Sequence, residues 1–188
     1  HLRGAANASP TQDINTGIAA ATGDYVVYVG NDILVKPGWL EALLECFEIK
    51  DCGVATLACH EPGATIGSPK PKPVIAEGMY GPLMMFPRAT MPLSIDGGWR
   101  FDEAFEGQHA DNDFIMRVYA SGRRAYRNSR VVVHHLDGMT WNTSYSQVER
   151  DRITQAGRDL FEQRWGNSPL WMAKMIRRGV IIYGREHE

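Results

Sequence analysis

The 188-residue sequence is poor in cysteine. Its three cysteines are Cys46, Cys52 and Cys59, and no two of them have the C-x-x-C spacing of a zinc site. An odd number of cysteines without that spacing argues against a structural zinc centre. We therefore expect reduced, buried thiols in a cytoplasmic protein.

Long apolar runs and an excess of one charge are also missing. No stretch approaches the roughly 18 consecutive apolar residues that a membrane-spanning helix needs. The formal net charge is −2 at pH 7, which gives no reason to expect nucleic acid as a partner. Apolar residues make up 44% of the chain and charged residues 22%, as in a globular protein with a substantial core.

The spacing of the apolar residues predicts helices and strands in alternation. The first predicted strand has almost no polar face, which is typical of a strand buried on both sides in a parallel sheet. We therefore predict an α/β fold with a mixed, mainly parallel sheet flanked by helices. The predicted elements in the first third are a helix at 11–23, a strand at 25–30, a helix at 36–49 and a strand at 52–59.

The rest of the chain is expected to complete a single domain. Residues 60–79 are rich in proline and glycine and form a candidate binding loop. We expect one domain over residues 1–188, with a helical C-terminal extension over 145–188. Its segment "WMAKMIRRGVIIYG" is amphipathic, so it forms either a core helix or a surface that touches a membrane or a partner. The other predicted elements are a strand at 79–88, a helix at 110–122, a strand pair or one kinked strand at 123–135, and a helix at 144–166.

Acidic and imidazole side chains follow or precede several of these elements. Asp32 comes directly after the strand 25–30, Asp111 opens a helix, and His134 and His135 close a strand. In open α/β sheets, ligands bind beyond the carboxyl ends of the strands, so Asp32 and the two histidines could share one edge. A carboxylate and an imidazole, completed by solvent or phosphate oxygens, suit Mn²⁺ or Mg²⁺.

Each of these residues also has an ordinary structural interpretation. Asp32 can stabilise a turn, and Asp111 and Asp113 can cap a helix and favour its dipole. His134 and His135 can be one core-facing and one exposed histidine. The residues taken singly leave both interpretations open.

Taken in order, the motifs resemble a known family. The segment "NTGIAAATGDYVVYVGNDILVKPGWLEALL" resembles the Asp-x-Asp region of glycosyltransferases with the GT-A fold, of the large inverting family 2. The segment "GGWRFDEAFEGQHADNDFIMRVYASGRRAYRNSRVVVHH" is similar to that family's second half, which has a Glu-Asp-x-Asp helix start and a strand ending in His. The resemblance covers roughly residues 15–135.

The resemblance implies a role for each matching residue. Asp32 falls on the last Asp of the Asp-x-Asp motif, which contacts the metal on the donor diphosphate, and Asn31 lies beside it. Asp111 falls on the general base that deprotonates the acceptor hydroxyl. His134 falls on a strand-end metal ligand. The residues expected on the acceptor side are Gly97, Gly98, Trp99 and Asp113.

The resemblance also implies an activity. We expect metal-assisted transfer of a sugar, with inversion, from a nucleotide-diphosphate sugar to a glycan, a lipid-linked or a protein acceptor, as in polysaccharide biosynthesis. The cofactor would be Mn²⁺ or Mg²⁺. A cytoplasmic protein, peripheral at a membrane, would fit this role.

The chain departs from the family pattern in three respects. Gly30 replaces the first Asp of the motif, and Ala110 replaces the Glu before the base. The family's N-terminal strands, which hold the nucleotide, have no counterpart here, so we expect a GT-A fold that is N-terminally truncated. A partner chain or a missing N-terminal segment would then complete the sheet. These departures leave a second hypothesis, a degenerate, non-catalytic module that binds a glycan or a nucleotide, and a weaker third, a metal-dependent hydrolase.

Overall fold

Helices and strands alternate along most of the chain, as the sequence predicts. The computed structural model describes residues 8–60, 69–76, 82–88, 100–136, 139–169 and 172. The elements within these residues are α1 (Pro10–Ala20), β1 (Tyr25–Val29), β2 (Ile33–Leu34), α2 (Trp39–Cys46), β3 (Cys52–His60), β4 (Val74–Ile75), β5 (Leu83–Pro87), α3 (Ala110–Ala120), β6 (Arg124–His135), α4 (Met139–Ser144) and α5 (Gln147–Trp165).

The strands form one mixed sheet in the order β1-β5-β3-β6-β2, and β4 also pairs with β6. This confirms an α/β fold with a mixed sheet. The pair β3–β6 is parallel, whereas the other pairs among the described residues are antiparallel. The expectation of a mainly parallel sheet is therefore wrong for these residues. The apolar strand that suggested this, β1, lies at the edge of the described sheet with Tyr25 and Val29 each 38% exposed, whereas the buried central strand β5 is antiparallel to its neighbours.

Helices cover both faces of the sheet, because successive strand residues point to opposite sides. Met84 packs into a core shared with α1, α3 and α5, whereas its neighbour Met85 packs into a second core under α2. Val54 and Ala55 of β3 divide between the two cores in the same way. Burial of these apolar side chains is the main force that fixes the sheet between its helices.

Polar side chains of α1 hold the segment that leads into α3. The α1 helix is capped by Ser9, and Thr11 in its first turn is fully buried and donates to the carbonyl of Phe105 over 2.6 Å. Asn15 binds both the N–H and the C=O of Phe101, at 2.9 and 2.8 Å. Side chains of α1 therefore anchor residues 100–105 by hydrogen bonds to the backbone of that segment. Its two phenylalanines, Phe101 and Phe105, also belong to the core that contains Ile18 of α1.

A bulge interrupts β6 where it runs beside β3. Leu57 pairs with Asn128, but the next residue of β3, Ala58, pairs with Val132, so β6 carries three extra residues at 129–131. Asn128 is 2% exposed and donates to the carbonyl of Ala42 over 2.9 Å, which fastens the bulge to α2. Because three is an odd number, the bulge reverses which residues of β6 point to each face beyond it.

The cysteines are free, as expected. Cys46 and Cys52 are buried and Cys59 is half-buried, and burial raises the pKa of the Cys46 thiol to about 12. The buried thiols therefore stay protonated and pack as small apolar groups. Within the described residues, no helix has the length and apolar character that crossing a membrane requires.

Candidate active site

Asn31 and Asp32 form the centre of a tight turn between β1 and β2. The N–H of Ile33 donates to the carbonyl of Gly30 over 3.2 Å, which closes the turn, and the N–H of Gly30 donates to Pro82 over 2.7 Å. The turn interpretation of this pair is thus correct, but it does not exclude a functional one. The turn brings the Asp32 carboxylate to the end of β6.

The partner of Asp32 at that edge is His135. Its Nε2 atom lies 3.2 Å from Oδ2 of Asp32, and the two side chains are 18% and 13% exposed. The N–H of Leu136 also donates to the backbone carbonyl of Asp32 over 2.9 Å. A carboxylate and an imidazole from distant parts of the sequence therefore meet in a largely buried corner.

His134, the histidine expected from the family pattern, does not take this position. It is adjacent to His135 on a strand, so the two side chains point to opposite faces. The His134 ring packs edge-on against the His60 ring, with 5.2 Å between the ring centroids. The structure thus corrects the expected pairing, since His135 accompanies Asp32 and His134 accompanies His60.

Gly30 leaves the space that the Asp32 carboxylate occupies. A Cβ atom at position 30 would lie 2.9 Å from Oδ1 of Asp32, closer than ordinary contact allows, and 3.4 Å from the carbonyl of Pro82. The glycine that replaces the first acid of the motif is therefore matched to the observed conformation of the remaining acid.

Asp111 lies in the first turn of α3. His109 occupies the N-cap position without a side-chain capping bond, and the Asp111 carboxylate accepts backbone N–H groups of the first turn, those of Asn112 and of Asp111 itself. The side-chain amide of Asn112 donates to Oδ1 of Asp111 over 2.8 Å. Part of the residue reaches the surface, but the surrounding protein removes enough hydration to raise the pKa of Asp111, against the lowering effect of the hydrogen bonds from Asn112. A carboxylate with a raised pKa is a better proton acceptor.

Tyr28 of β1 lies within electrostatic reach of both Asp32 and Asp111. Burial raises the pKa of its hydroxyl, and the negative charges of Asp111 and then of Asp32 raise it further. Both carboxylates are therefore within electrostatic reach of the same side chain. The sequence analysis did not select Tyr28, although a tyrosine two residues before the Gly-Asn-Asp turn, in an otherwise aliphatic strand end, was a usable signal.

Asp113 was expected on the acceptor side. Its side chain is instead fully buried, in contact with residues of α3 and α5. Its carboxylate accepts from Arg117 at 2.8 Å, from Arg164 at 2.7 Å and from the indole of Trp165 at 3.1 Å. Arg164 also binds Asp102 at 2.5 Å. Asp113 therefore fastens α5 to α3 and has no open side for an acceptor. The other expected acceptor-side residues, Gly97, Gly98 and Trp99, lie outside the described residues.

The Asp32–His135 corner brings together a carboxylate and an imidazole, two side-chain types that can bind divalent metals. Two adjacent ligands of an octahedral Mg²⁺ ion, each about 2.1 Å from the metal, are about 3 Å apart. The separation of 3.2 Å between Asp32 and His135 is close to that value, and it is also the length of the direct hydrogen bond between the two side chains. Among the described residues, no three His, Cys, Asp or Glu side chains converge. A metal held here would therefore take its other ligands from water and substrate oxygens, as Mg²⁺ commonly does.

Comparison with known proteins places the chain in a family. Residues 2–96 match the model of Glycosyl transferase family 2, and the chain belongs to that family. The matched range includes Asp32 and ends before Asp111 and His135. No curated protein matches the sequence.

A solved structure supports the fold. The chain resembles the crystal structure of S. aureus TarS 1-349 with 14% sequence identity and a TM-score of 0.50, over 82% of this chain and 52% of that one. At this identity the likeness shows the GT-A fold alone. The chain spans about half the length of that structure.

Proposed function

We propose that this protein transfers a sugar from a nucleotide-diphosphate sugar to an acceptor hydroxyl, with inversion and with the assistance of a divalent metal. Family membership supports glycosyl transfer in general. The observation that most supports the specific reaction is that Asp32, beside His135, and Asp111, beside Asn112, both lie within electrostatic reach of Tyr28. Pairs of acids in different environments take different roles in catalysis.

Asp111 is the proposed general base. A sugar hydroxyl is a weak nucleophile, so a carboxylate within hydrogen-bond reach accelerates its attack by removing the proton. Partial burial keeps the affinity of Asp111 for that proton above that of an exposed aspartate. Attack on the face opposite the leaving diphosphate inverts the anomeric centre, and no protein nucleophile is required.

Asp32 and His135 are the proposed holders of Mn²⁺ or Mg²⁺, with Asn31 beside them in the same turn. The metal, when bound, would supply positive charge to the departing diphosphate. Asp32 provides the oxygen ligand that such ions prefer, and His135 provides a nitrogen from the adjacent strand end. This assignment replaces His134, which the family pattern suggested, with its neighbour.

Several finer expectations stay predictions. They are the inverting stereochemistry, the class of acceptor, a role in polysaccharide biosynthesis, a cytoplasmic location peripheral to a membrane, and a helical C-terminal extension to a single domain. Completion of the sheet by a further strand is another. Among the described residues, β1 pairs with β5 alone, and a cavity of about 450 Å³ lies between β1 and α1.

The experiment that tests the proposed reaction compares two aspartate variants. Asp111→Asn removes the base, whereas Asp159→Asn alters an exposed aspartate of α5 that binds Gln155. With a panel of nucleotide sugars, glycan acceptors and Mn²⁺, we expect Asp111→Asn to lose transfer by about 100-fold or more and Asp159→Asn to keep it. Equal turnover of the two variants would contradict the base assignment. Binding of a glycan or nucleotide without any turnover would favour the non-catalytic module.

A further inference from the structure

The proposed base belongs to a chain of side-chain hydrogen bonds at the start of α3. Asn112 donates from its amide nitrogen to Oδ1 of Asp111 over 2.8 Å. The amide oxygen of the same Asn112 lies 3.0 Å from Nδ1 of His109. Asn112 is 6% exposed, so water cannot easily replace either partner. The three residues therefore form a connected series, His109–Asn112–Asp111.

The chemistry of the groups fixes the direction of this series. A carboxylate only accepts hydrogen bonds, so Asn112 must turn its NH₂ group toward Asp111. Its oxygen then faces His109, which must carry a proton on Nδ1 to complete the contact. Among the described residues, Nε2 of His109 is buried without a hydrogen-bond partner. The contact with Asn112 is thus the one hydrogen bond to the ring among the residues that the structure describes.

The backbone of His109 is strained to make this contact. Its φ angle is 66°, and it is the one non-glycine residue with positive φ among those described. Its side chain makes no capping hydrogen bond to the helix backbone, so capping does not account for a histidine here. A glycine would adopt the same backbone at lower cost. Strain of this kind is commonly found at functional sites.

Packing against α5 holds the strained segment in place. Gly157 of α5 lies so close that a Cβ atom there would collide with the carbonyl oxygen of Gln108 and would lie 3.4 Å from the His109 ring. The ring is therefore confined between α5 and the first turn of α3. The confined ring also limits the rotation of the Asn112 side chain, because His109 Nδ1 is hydrogen-bonded to the amide oxygen of Asn112.

We propose that His109 and Asn112 are positioning residues that hold the Asp111 carboxylate in one orientation for the acceptor hydroxyl. Their role rests on the function proposed above, since it presumes that Asp111 removes the proton. The sequence analysis gave neither residue a role. A base that is itself oriented by a second and a third side chain is a recurring arrangement in enzymes, and errors of about 1 Å in position cost about 100-fold in rate.

Three variants test the proposal and distinguish a loss of activity from a loss of stability. His109→Gly removes the ring and relieves the backbone strain. His109→Asn keeps a residue that tolerates positive φ and places an amide nitrogen near the position of Nδ1. Asn112→Leu removes the side-chain donor to Asp111 and keeps the number and branching of the heavy atoms. A purely structural histidine predicts that His109→Gly loses stability, because the ring leaves a cavity, but keeps its kcat.

We expect His109→Gly to keep its melting temperature but to lose about 10-fold to 100-fold in kcat with little change in donor KM, and His109→Asn to recover most of that loss. Wild-type kcat in His109→Gly would overturn the proposal. Asn112→Leu should move the acidic limb of the kcat profile to higher pH, because Asp111 loses a hydrogen bond that stabilises its charge. The titratable groups that face Asp111 are His109 and, from β1, Tyr28.

A measurement without turnover separates this proposal from the proposed function. The carboxyl carbon of Asp111, followed by NMR as a function of pH, reports its titration whether or not the protein is active. An upward shift in Asn112→Leu without any sugar transfer by the wild type would support the hydrogen-bonded series and contradict the transferase. An unchanged titration in Asn112→Leu would overturn the series itself.

Discussion

The Nε2 atom of His135 lies 3.2 Å from the Oδ2 atom of Asp32, although 103 residues separate them in sequence. The bulge at residues 129–131 explains why His135 and not His134 holds this position. Its three extra residues reverse the alternation of β6, and β2 then pairs Ile33 with His135. A local irregularity in one strand therefore decides which imidazole accompanies the acid of the Gly-Asn-Asp turn.

Replacing Gly30 by alanine is predicted to impair the Asp32 corner while leaving the fold intact. The added methyl would lie 2.9 Å from Oδ1 of Asp32, and the flexible carboxylate can yield by rotating away from His135. We expect weaker Mn²⁺ binding, measured by calorimetry, at an unchanged melting temperature. Gly17→Ala is the control, because a Cβ atom at that exposed helix position meets nothing within 4 Å. Equal Mn²⁺ affinities in the two variants would contradict the prediction.

Replacing Asp111 by asparagine is predicted to stabilise the protein at neutral pH. Burial raises the pKa of Asp111 in the folded state, so the unfolded chain ionises first as the pH rises. The folded state therefore loses stability between the ordinary aspartate pKa of about 3.9 and the raised one, and the cost is complete above both. Asp111→Asn avoids that cost.

Thermal unfolding at two pH values measures this effect. The melting temperature of Asp111→Asn should exceed that of the wild type at pH 7, and the difference should shrink at about pH 3, below both pKa values. The exposed Asp159→Asn variant should show no such difference at either pH. If the wild type were more stable than Asp111→Asn at pH 7, the folded protein would not disfavour the ionised form of Asp111, and the prediction would be wrong.

Replacing Asp113 by asparagine is predicted to destabilise the fold. The buried carboxylate neutralises Arg117 and, together with Asp102, Arg164. Removing one partner of a buried ion pair costs about 3–5 kcal/mol in the free energy of unfolding, because the remaining charge stays buried. Denaturant unfolding would measure the loss.

An exposed ion pair provides the control for Asp113. Glu106 binds Arg152 at 2.6 Å, but both side chains are about half exposed, so solvent screens their attraction. Glu106→Gln should unfold at the same denaturant concentration as the wild type. If Asp113→Asn matched Glu106→Gln, the buried cluster would not be what fastens α5 to α3.

The sequence was sufficient to predict the class of the fold and to place Asp32 and Asp111 at the ends of their elements. Apolar runs bounded by Pro-Gly and by glycine identified the strand before Asp32 and the helix after it. The spacing of the apolar residues that follow Asp111 identified α3. These features depend on residues that are close together in sequence, so they can be predicted from the sequence alone.

Other features depend on tertiary contacts that the sequence does not display. The choice of His135 over His134 follows from the bulge in β6, and the burial of Asp113 follows from the approach of Arg164 on α5. Strand direction was mispredicted because burial on both faces is shared by parallel and antiparallel central strands. His109 could not be selected, since its positive φ and its contact with Asn112 exist only in the folded structure.

The most direct test of the account is the Mn²⁺-dependent binding of nucleoside diphosphates to two adjacent histidine variants. His135→Ala removes the imidazole beside Asp32, whereas His134→Ala removes its neighbour on the opposite face. Calorimetry with uridine, guanosine and thymidine diphosphates should show a loss of at least about 10-fold in affinity for His135→Ala and wild-type affinity for His134→Ala. Weakened binding in His134→Ala with unaffected binding in His135→Ala would contradict the account.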